Sequence, residues 1–438
     1  MKKFISTIRN IFSIEDLRIR ILNTIGFLIV FRLGSFIVIP GIDPEALEGG
    51  AQGGIFDFLN TFLGGSFSRA SIFALGIMPY ISASIVIQLM TVAVPYFQKL
   101  QKEGESGRKR LTQITRVLTI AITAAQGGSY LAATIPAQAI MYPGAFFNIS
   151  AIIILITGTM FCMWLGERIT DKGIGNGISM LIMIGIISRF PASLWYEIVE
   201  DKGLNGALMS VLEIVALFFI VMAVIALVQA TRRIPIQYAK QVIGNKLYGG
   251  KRDYIPLKVN ASGVMPIIFA QALMFIPSMV AGLWRDSEIG AYIGSTFSDP
   301  YSWQYNLLFG ILILIFTFFY TAITVNPNDI ADNLKRNGGF IPGIKPGKQT
   351  SEFIDQILTK ITLPGSIFLA VIAVIPAFAV KAGVSANFAQ FYGGTSLLIM
   401  VGVILDTLQQ IESYLLMRHY EGMMKSGKVK GRSQIAAA

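Results

Sequence analysis

One cysteine, Cys162, and one histidine, His419, are the only thiol and the only imidazole in 438 residues. A zinc site of the HExxH type needs two histidines on one helical face and a disulfide needs two cysteines, so neither can form within this chain. Two glycine-rich runs invite a phosphate-loop reading. Gly173–Gly177, GIGNG, lacks the GxGxxG spacing and no Lys-Ser/Thr follows it; Asn176 is better suited to cap the helix expected next. Gly343–Thr350, GIKPGKQT, comes nearer, but three residues separate its glycines instead of four, and Gln349 stands where a magnesium-binding Ser or Thr belongs. The chain is expected to hold no ATP, metal or other cofactor and no catalytic residue. An intramembrane protease is excluded for want of HExxH, of paired catalytic aspartates and of a serine with an embedded histidine.

What remains is a set of single polar groups in apolar surroundings: Arg32, Ser82 and Gln126. The surroundings are a bilayer. Charged residues make up 14% of the chain, against roughly 25% in a soluble domain, and mean hydropathy is +0.62. Arg32 sits mid-way in an apolar run, where a charge costs at least about 2.5 kcal/mol, so it is expected to face protein or water. Cys162 reads as a small apolar filler.

Ser71 to Gln98 and Val117 to Gly166 carry no charge, and the second is long enough for two crossings at about 20 residues each. Ten helices are expected, at 21–40, 71–94, 115–135, 146–167, 174–192, 209–230, 260–283, 306–327, 362–380 and 392–416. Thirty of the 36 Lys and Arg fall in the N-terminal segment, the even-numbered loops and the tail; five fall on the other side and Arg32 within a span. This bias places both termini in the cytoplasm. The four tryptophans, Trp164, Trp195, Trp284 and Trp303, fall near span ends, where amphipathic rings are favoured.

Residues 1–20 carry Phe4, Ile8, Ile11 and Phe12 at helical spacing among basic residues and have no cleavage site. They read as an interfacial amphipathic helix, with a disordered tail as the alternative. The halves are 21–192 and 193–416, followed by a tail at 417–438. Five spans per half would require the second half to be inverted, which is how a pathway is built between repeats. Ile55–Leu63, IFDFLNTFL, reaches only about 14 Å as a helix, too short to cross. It is either an interfacial helix or a re-entrant one shielded by protein.

Six segments carry a resemblance: GGSFSRASIFALGIMPYISASIVIQLM (64–90), EGESGRKR (103–110), MWLGERITDKGIGNGIS (163–179), PLKVNASGVMPIIFA (256–270), NPNDIADNLKRNGGFIPGIKPG (326–347) and FYGGTSLLIM (391–400). They closely resemble the SecY family, channel subunits of the bacterial Sec protein translocase, in matching order from about Glu15 to about Lys430. The resemblance implies an all-α membrane protein of ten transmembrane helices, in two pseudo-symmetric inverted five-helix halves forming a clamshell. It implies a plug at 55–65, with Ile55, Phe56, Asp57, Phe58, Leu59, Asn60, Thr61, Phe62 and Leu63 as its apolar helix. Ile77, Ile81, Ile178, Ile182, Ile268 and Ile399 match the family's pore ring. Residues four apart share a helical face, and an aliphatic ring is a dewetting barrier to ions. Without the resemblance, they would read as core or lipid-facing isoleucines.

Ser82, Gln126 and Ile276 fall at the implied lateral gate. Polar pairs between membrane helices are worth only about 0.6 kcal/mol on average, so such a seam can part for a signal helix. The loops 232–258 and 329–360 carry Arg232, Arg233, Lys240, Lys251, Arg252, Lys335, Arg336 and Lys345. Beside anionic lipid such charge is ordinary; in the family these loops dock the SecA ATPase or the phosphates of ribosomal RNA. The family commonly has Arg where this chain has Lys345, and lysine keeps the charge without the planar fork.

The function so implied is a protein-conducting channel of the bacterial cytoplasmic membrane, with SecE and SecG subunits, SecA, the ribosome, signal peptides and nascent chains as partners, and SecDF and a YidC-type insertase as further ones. The alternative is an ion-coupled secondary transporter. Such a site needs embedded Asp, Glu, His or Lys, and the spans offer chiefly Arg32, with Glu213 and Asp406 at their ends.

Overall fold

The computed structural model describes residues 12, 14–47, 63–201, 207–238, 241–243, 246–248, 252–274, 296–297 and 299–425. By packing, the chain falls into two compact units, Met1–Arg189 with Gly402–Ala438, and Phe190–Val401.

The first unit contains α1 (Glu15–Gly34), α2 (Met78–Ala93), α3 (Pro95–Lys102), α4 (Glu105–Thr134), α5 (Ala145–Lys172) and most of α6 (Gly177–Trp195). Met78 and not residue 71 begins α2. Pro79 occupies its first turn, where a missing N–H costs nothing, and Gly76, at φ +49°, lies outside the helical region. Residues 63–77 instead follow an irregular path. They are held to the strand-like segment after α1 by Ile39 N–H to Ala70 O and Ile72 N–H to Ile37 O, both 2.9 Å. A core of Ile39, Leu63, Phe67, Leu75, Tyr130 and Leu155 closes around this path. Tyr130 packs edge-on against Phe67 with ring centroids 4.8 Å apart, and its hydroxyl donates to the Phe67 carbonyl at 2.7 Å. At Pro95 the chain bends by 99° between α2 and α3, because proline cannot continue the hydrogen bonding of the helix before it.

The second unit contains α7 (Ala207–Gln229), strands β1 (Thr231–Tyr238), β2 (Gln241–Ile243), β3 (Lys246–Tyr248) and β4 (Arg252–Lys258), then α8 (Met265–Leu273), α9 (Trp303–Thr324) and α10 (Pro327–Arg336). After these come β5 (Gly339–Phe340), α11 (Lys348–Lys381), the short α12 (Ala386–Ala389) and α13 (Gly394–Lys425), which runs on into the first unit. Ser302 caps α9 by accepting from Tyr305 N–H at 3.3 Å. Asn326 caps α10, which has Asp329 in its first turn and Lys335 and Arg336 in its last, as the helix dipole favours.

The strands correct the reading of 232–258 and 329–360 as loops. β1 pairs antiparallel with β4, Arg233 opposite Pro256, and on its other edge with β5, Gln237 opposite Phe340. Helix ends are also corrected: α1 starts at Glu15, α4 at Glu105 and α11 at Lys348. Hydropathy marks only the lipid-embedded part of a helix that continues beyond the membrane. Among the described residues, six stretches are long and apolar enough to cross, or seven if α2 and α3 form one bent span. α1 misses that test through Glu15, Asp16, Arg18, Arg20 and Arg32, and the described part of α8 ends at Leu273.

Candidate functional site

Ile77 and Ile81 lie one turn apart at the start of α2, with Ile81 N–H donating to Ile77 O at 3.1 Å, and both are buried. On α6 Ile182 is buried and Ile178 half-buried. The Ile178 side chain is turned toward α5: a Cβ on Gly166 would lie 3.1 Å from its Cγ1. In the second unit, Ile399 on α13 is buried and Ile268 on α8 is half-buried. Four of the six isoleucines are thus in the first unit and two in the second.

Of the nine residues from Ile55, only Leu63 lies within the described residues, and it is buried in the first unit's core. Gly64 follows at φ +64°, a conformation that favours glycine. Its carbonyl accepts from Arg32 Nη1 at 2.9 Å and from Arg69 Nη2 at 3.0 Å. Both guanidinium groups also stand over the Phe36 ring, 4.9 and 4.4 Å from its centroid. Opposite them is α6, since a Cβ on Gly64 would come within 2.9 Å of Gly185 Cα. Burial, then the charges of Arg32 and Arg189, lowers the pKa of Arg69, although an arginine keeps its charge at neutral pH. Arg32 therefore faces protein, as expected. The carbonyl it meets, and the second arginine there, were not foreseen.

The GIGNG run is a tethered loop. Arg20 Nη1 donates to Gly173 O at 3.2 Å, Ile174 N–H to Thr24 Oγ1 at 3.0 Å, and Gly175 N–H to Gln410 Oε1 at 2.8 Å. Asn176 Oδ1 accepts from Ser179 N–H at 3.2 Å, the expected cap. The amides of Gly173, Ile174, Gly175 and Gly177 are thus all donated to protein acceptors.

Of the residues expected at a gate, Ser82 is half-buried on α2, Gln126 is exposed on α4, and Ile276 lies outside the described residues. A polar link absent from the sequence reading joins the neighbouring pair of helices in the second unit: Gln271 Nε2 of α8 donates to Tyr305 Oη of α9 at 3.4 Å.

The basic residues form one module. Arg232, Arg233 and Arg252 are exposed on β1 and β4, and Lys335 and Arg336 on α10. Ile234, Ile236, Leu257, Leu334, Ile341 and Ile354 make a separate core that fixes sheet and α10 to the first turns of α11. Lys345 is exposed on the turn between β5 and α11, flanked by Gly343 at φ +85° and Gly347 at φ +101°, and its carbonyl accepts from Thr350 Oγ1 at 3.0 Å. Lys240 and Lys251 lie outside the described residues. The alternation of Ile234 and Ile236 and the Gly244-Asn245 dipeptide are features from which strands and a turn could have been read.

Among the described residues no group of three or more His, Cys, Asp or Glu is placed to hold a metal ion, and Cys162 is buried and unbridged. Long apolar helices, with a basic module outside the apolar spans, define a polytopic helical membrane protein.

The SecY family model matches residues 71–408. Protein translocase subunit SecY of Streptomyces coelicolor is 42% identical over 431 residues, covering 94% of this chain and 98% of that protein. The subunit of the same name from Halalkalibacterium halodurans is 44% identical over 436 residues, covering 96% and 99%. This chain belongs to the SecY family. Its fold is similar to a solved protein-conducting channel, with TM-score 0.61, 17% identity and coverage of 90% and 92%. It is also similar to Sec61 in a canine ribosome-channel complex from the endoplasmic reticulum, with TM-score 0.57 and 16% identity over the same shares. The ion-coupled transporter finds no support in these matches.

Proposed function

We propose that this chain is the protein-conducting channel of a bacterial Sec translocon, passing unfolded signal-bearing polypeptides across the cytoplasmic membrane and releasing apolar helices sideways into lipid. The observation that carries this reading is family membership over nearly the whole length. The channel makes and breaks no covalent bond; SecA or a translating ribosome supplies the drive, and SecE and SecG accompany it, with SecDF and a YidC-type insertase in reach.

In this reading the chain lies in the membrane with both termini in the cytoplasm. Ile77, Ile81, Ile178, Ile182, Ile268 and Ile399 form the constriction, which yields around a passing chain because aliphatic side chains offer it no specific bonds. Residues 55–63 are the plug, with Gly64 its fixed end, and Ser82, Gln126 and Ile276 border the gate. The basic module is the docking surface. Its core supports it independently of its charges, so exposed residues can be reversed in sign with little loss of stability, whereas like charges at an interface slow encounter and cost affinity.

Reconstitution of the purified channel complex with SecA and a signal-bearing precursor tests this. Lys345→Arg should support precursor-stimulated ATPase at least as well as wild type, and Lys345→Glu should reduce it by about tenfold or more with an unchanged melting temperature. Full stimulation in Lys345→Glu would remove the motor contact from this turn. Absence of precursor import by the wild-type vesicles would overturn the function.

A further inference from the structure

Within the second unit, residues of α9 and α11 line a groove of about 480 Å³. Leu307, Ile311, Leu314, Val371, Val374 and Phe378 line its sides, and Gly310 and Ala370 contribute only small groups. Leu307, Ile311, Val371 and Phe378 are all exposed, so the groove opens outward from an otherwise packed helix pair. Polar groups gather at one end, where Tyr301, Trp303, Asn306 and Lys381 meet. Asn306 is committed to its own cap, donating to Pro300 O and Ser302 O, each at 2.8 Å. Lys381, in the last turn of α11, is exposed and has no ion pair among the described residues.

Dimensions choose the occupant. From Trp303 to Leu314 the groove follows α9 for about 17 Å, and from Ile367 to Lys381 it follows α11 for about 21 Å, close to one leaflet of a hydrocarbon core about 30 Å thick. Spread over that length, the volume of about 480 Å³ leaves a mean cross-section of roughly 25 Å², the girth of one hydrocarbon chain and far short of a helix about 10 Å across. Both helices are apolar enough to span a membrane, so the groove faces lipid. The cation, at the end of α11, stands where that lipid's headgroup must lie, and Trp303, at the start of α9, lines the same groove, as suits an interfacial tryptophan.

We propose that the groove between α9 and α11 is a binding site for an anionic phospholipid, with one acyl chain along the groove and the phosphate on Lys381 Nζ. The site is independent of the channel reading, because it requires only that these two helices cross a bilayer.

The test uses the full chain with its copurifying subunits in phosphatidylcholine nanodiscs that contain a phosphatidylglycerol bearing a photoreactive acyl chain. Adducts should map to 303–314 and 367–381. Unlabelled phosphatidylglycerol should suppress them about fivefold more effectively than phosphatidylcholine, the advantage of one lysine at an anionic headgroup. Lys381→Gln should bring the two competitors level, and Lys381→Arg should keep the preference. A Cβ at Gly310 meets nothing within 4 Å, so Gly310→Leu starts its side chain in open space at the groove and should lower labelling there while labelling of other helices stays constant. Equal competition in the wild type would reduce the groove to ordinary boundary lipid. Unchanged labelling in Gly310→Leu, or crosslinking of the groove to another protein in place of lipid, would equally sink the assignment.

Discussion

The Gly64 carbonyl is met from two sides, by Arg32 and Arg69. An acceptor with two cationic donors can lose either one and remain paired, whereas losing both leaves a polar atom unmet, at a cost of about 1–3 kcal/mol. Arg32→Gln and Arg69→Gln are therefore expected to be mild singly and to combine non-additively, the double variant losing about 1–3 kcal/mol more than the sum. Denaturation in detergent measures it; strictly additive losses would show that the two arginines act independently. The sequence made Arg32 conspicuous, since charge inside an apolar run demands a protein or water environment. Its partner was illegible, because a backbone carbonyl 32 residues away leaves no mark in residue type. Asn176, by contrast, was readable, because a cap acts within one turn of its own helix. The isoleucines stand between these cases: spacing gave Ile77 and Ile81 a common face, while the turn of Ile178 toward Gly166 depends on a neighbouring helix.

At the scale of elements, the spans were legible and the sheet was not. Hydropathy reports contact with lipid, so it found the middles of α5, α9 and α11 and missed the turns that α11 adds outside. β1 and β4 are half polar and rich in Arg, a pattern that reads as solvated loop until Ile234 and Ile236 are seen to alternate onto the face that packs on Leu334 and Ile354. That small core implies a separable stability. Ile236→Ala removes a buried side chain at a cost of about 2–5 kcal/mol, a large fraction of what so small a module possesses. Limited proteolysis should then cut within 231–258 and 339–347 at least tenfold faster, while fragments of α5 and α9 stay protected. Uniform susceptibility along the chain would mean that module and spans fold as one unit.

For the whole molecule, thirty basic residues against five set the expected orientation. In a Cys162→Ala background, a cysteine at position 345 should react with an impermeant maleimide only after the membrane is opened, and one at position 381 should react in intact cells. The reverse pattern would invert the topology. These two positions are joined through α11, a single helix of 34 residues. At 1.5 Å per residue such a helix is about 51 Å long. For a straight rod of that length, a tilt of about 5° at the module would shift the far end by about 4 Å. Pro364 and Pro376 lie within it, and each removes one hydrogen bond from the rod and so supplies a preferred place to flex. A push on Lys345 is thereby delivered as displacement within the membrane, reaching the groove at Lys381 undiminished if the prolines stay straight and absorbed before it if they bend.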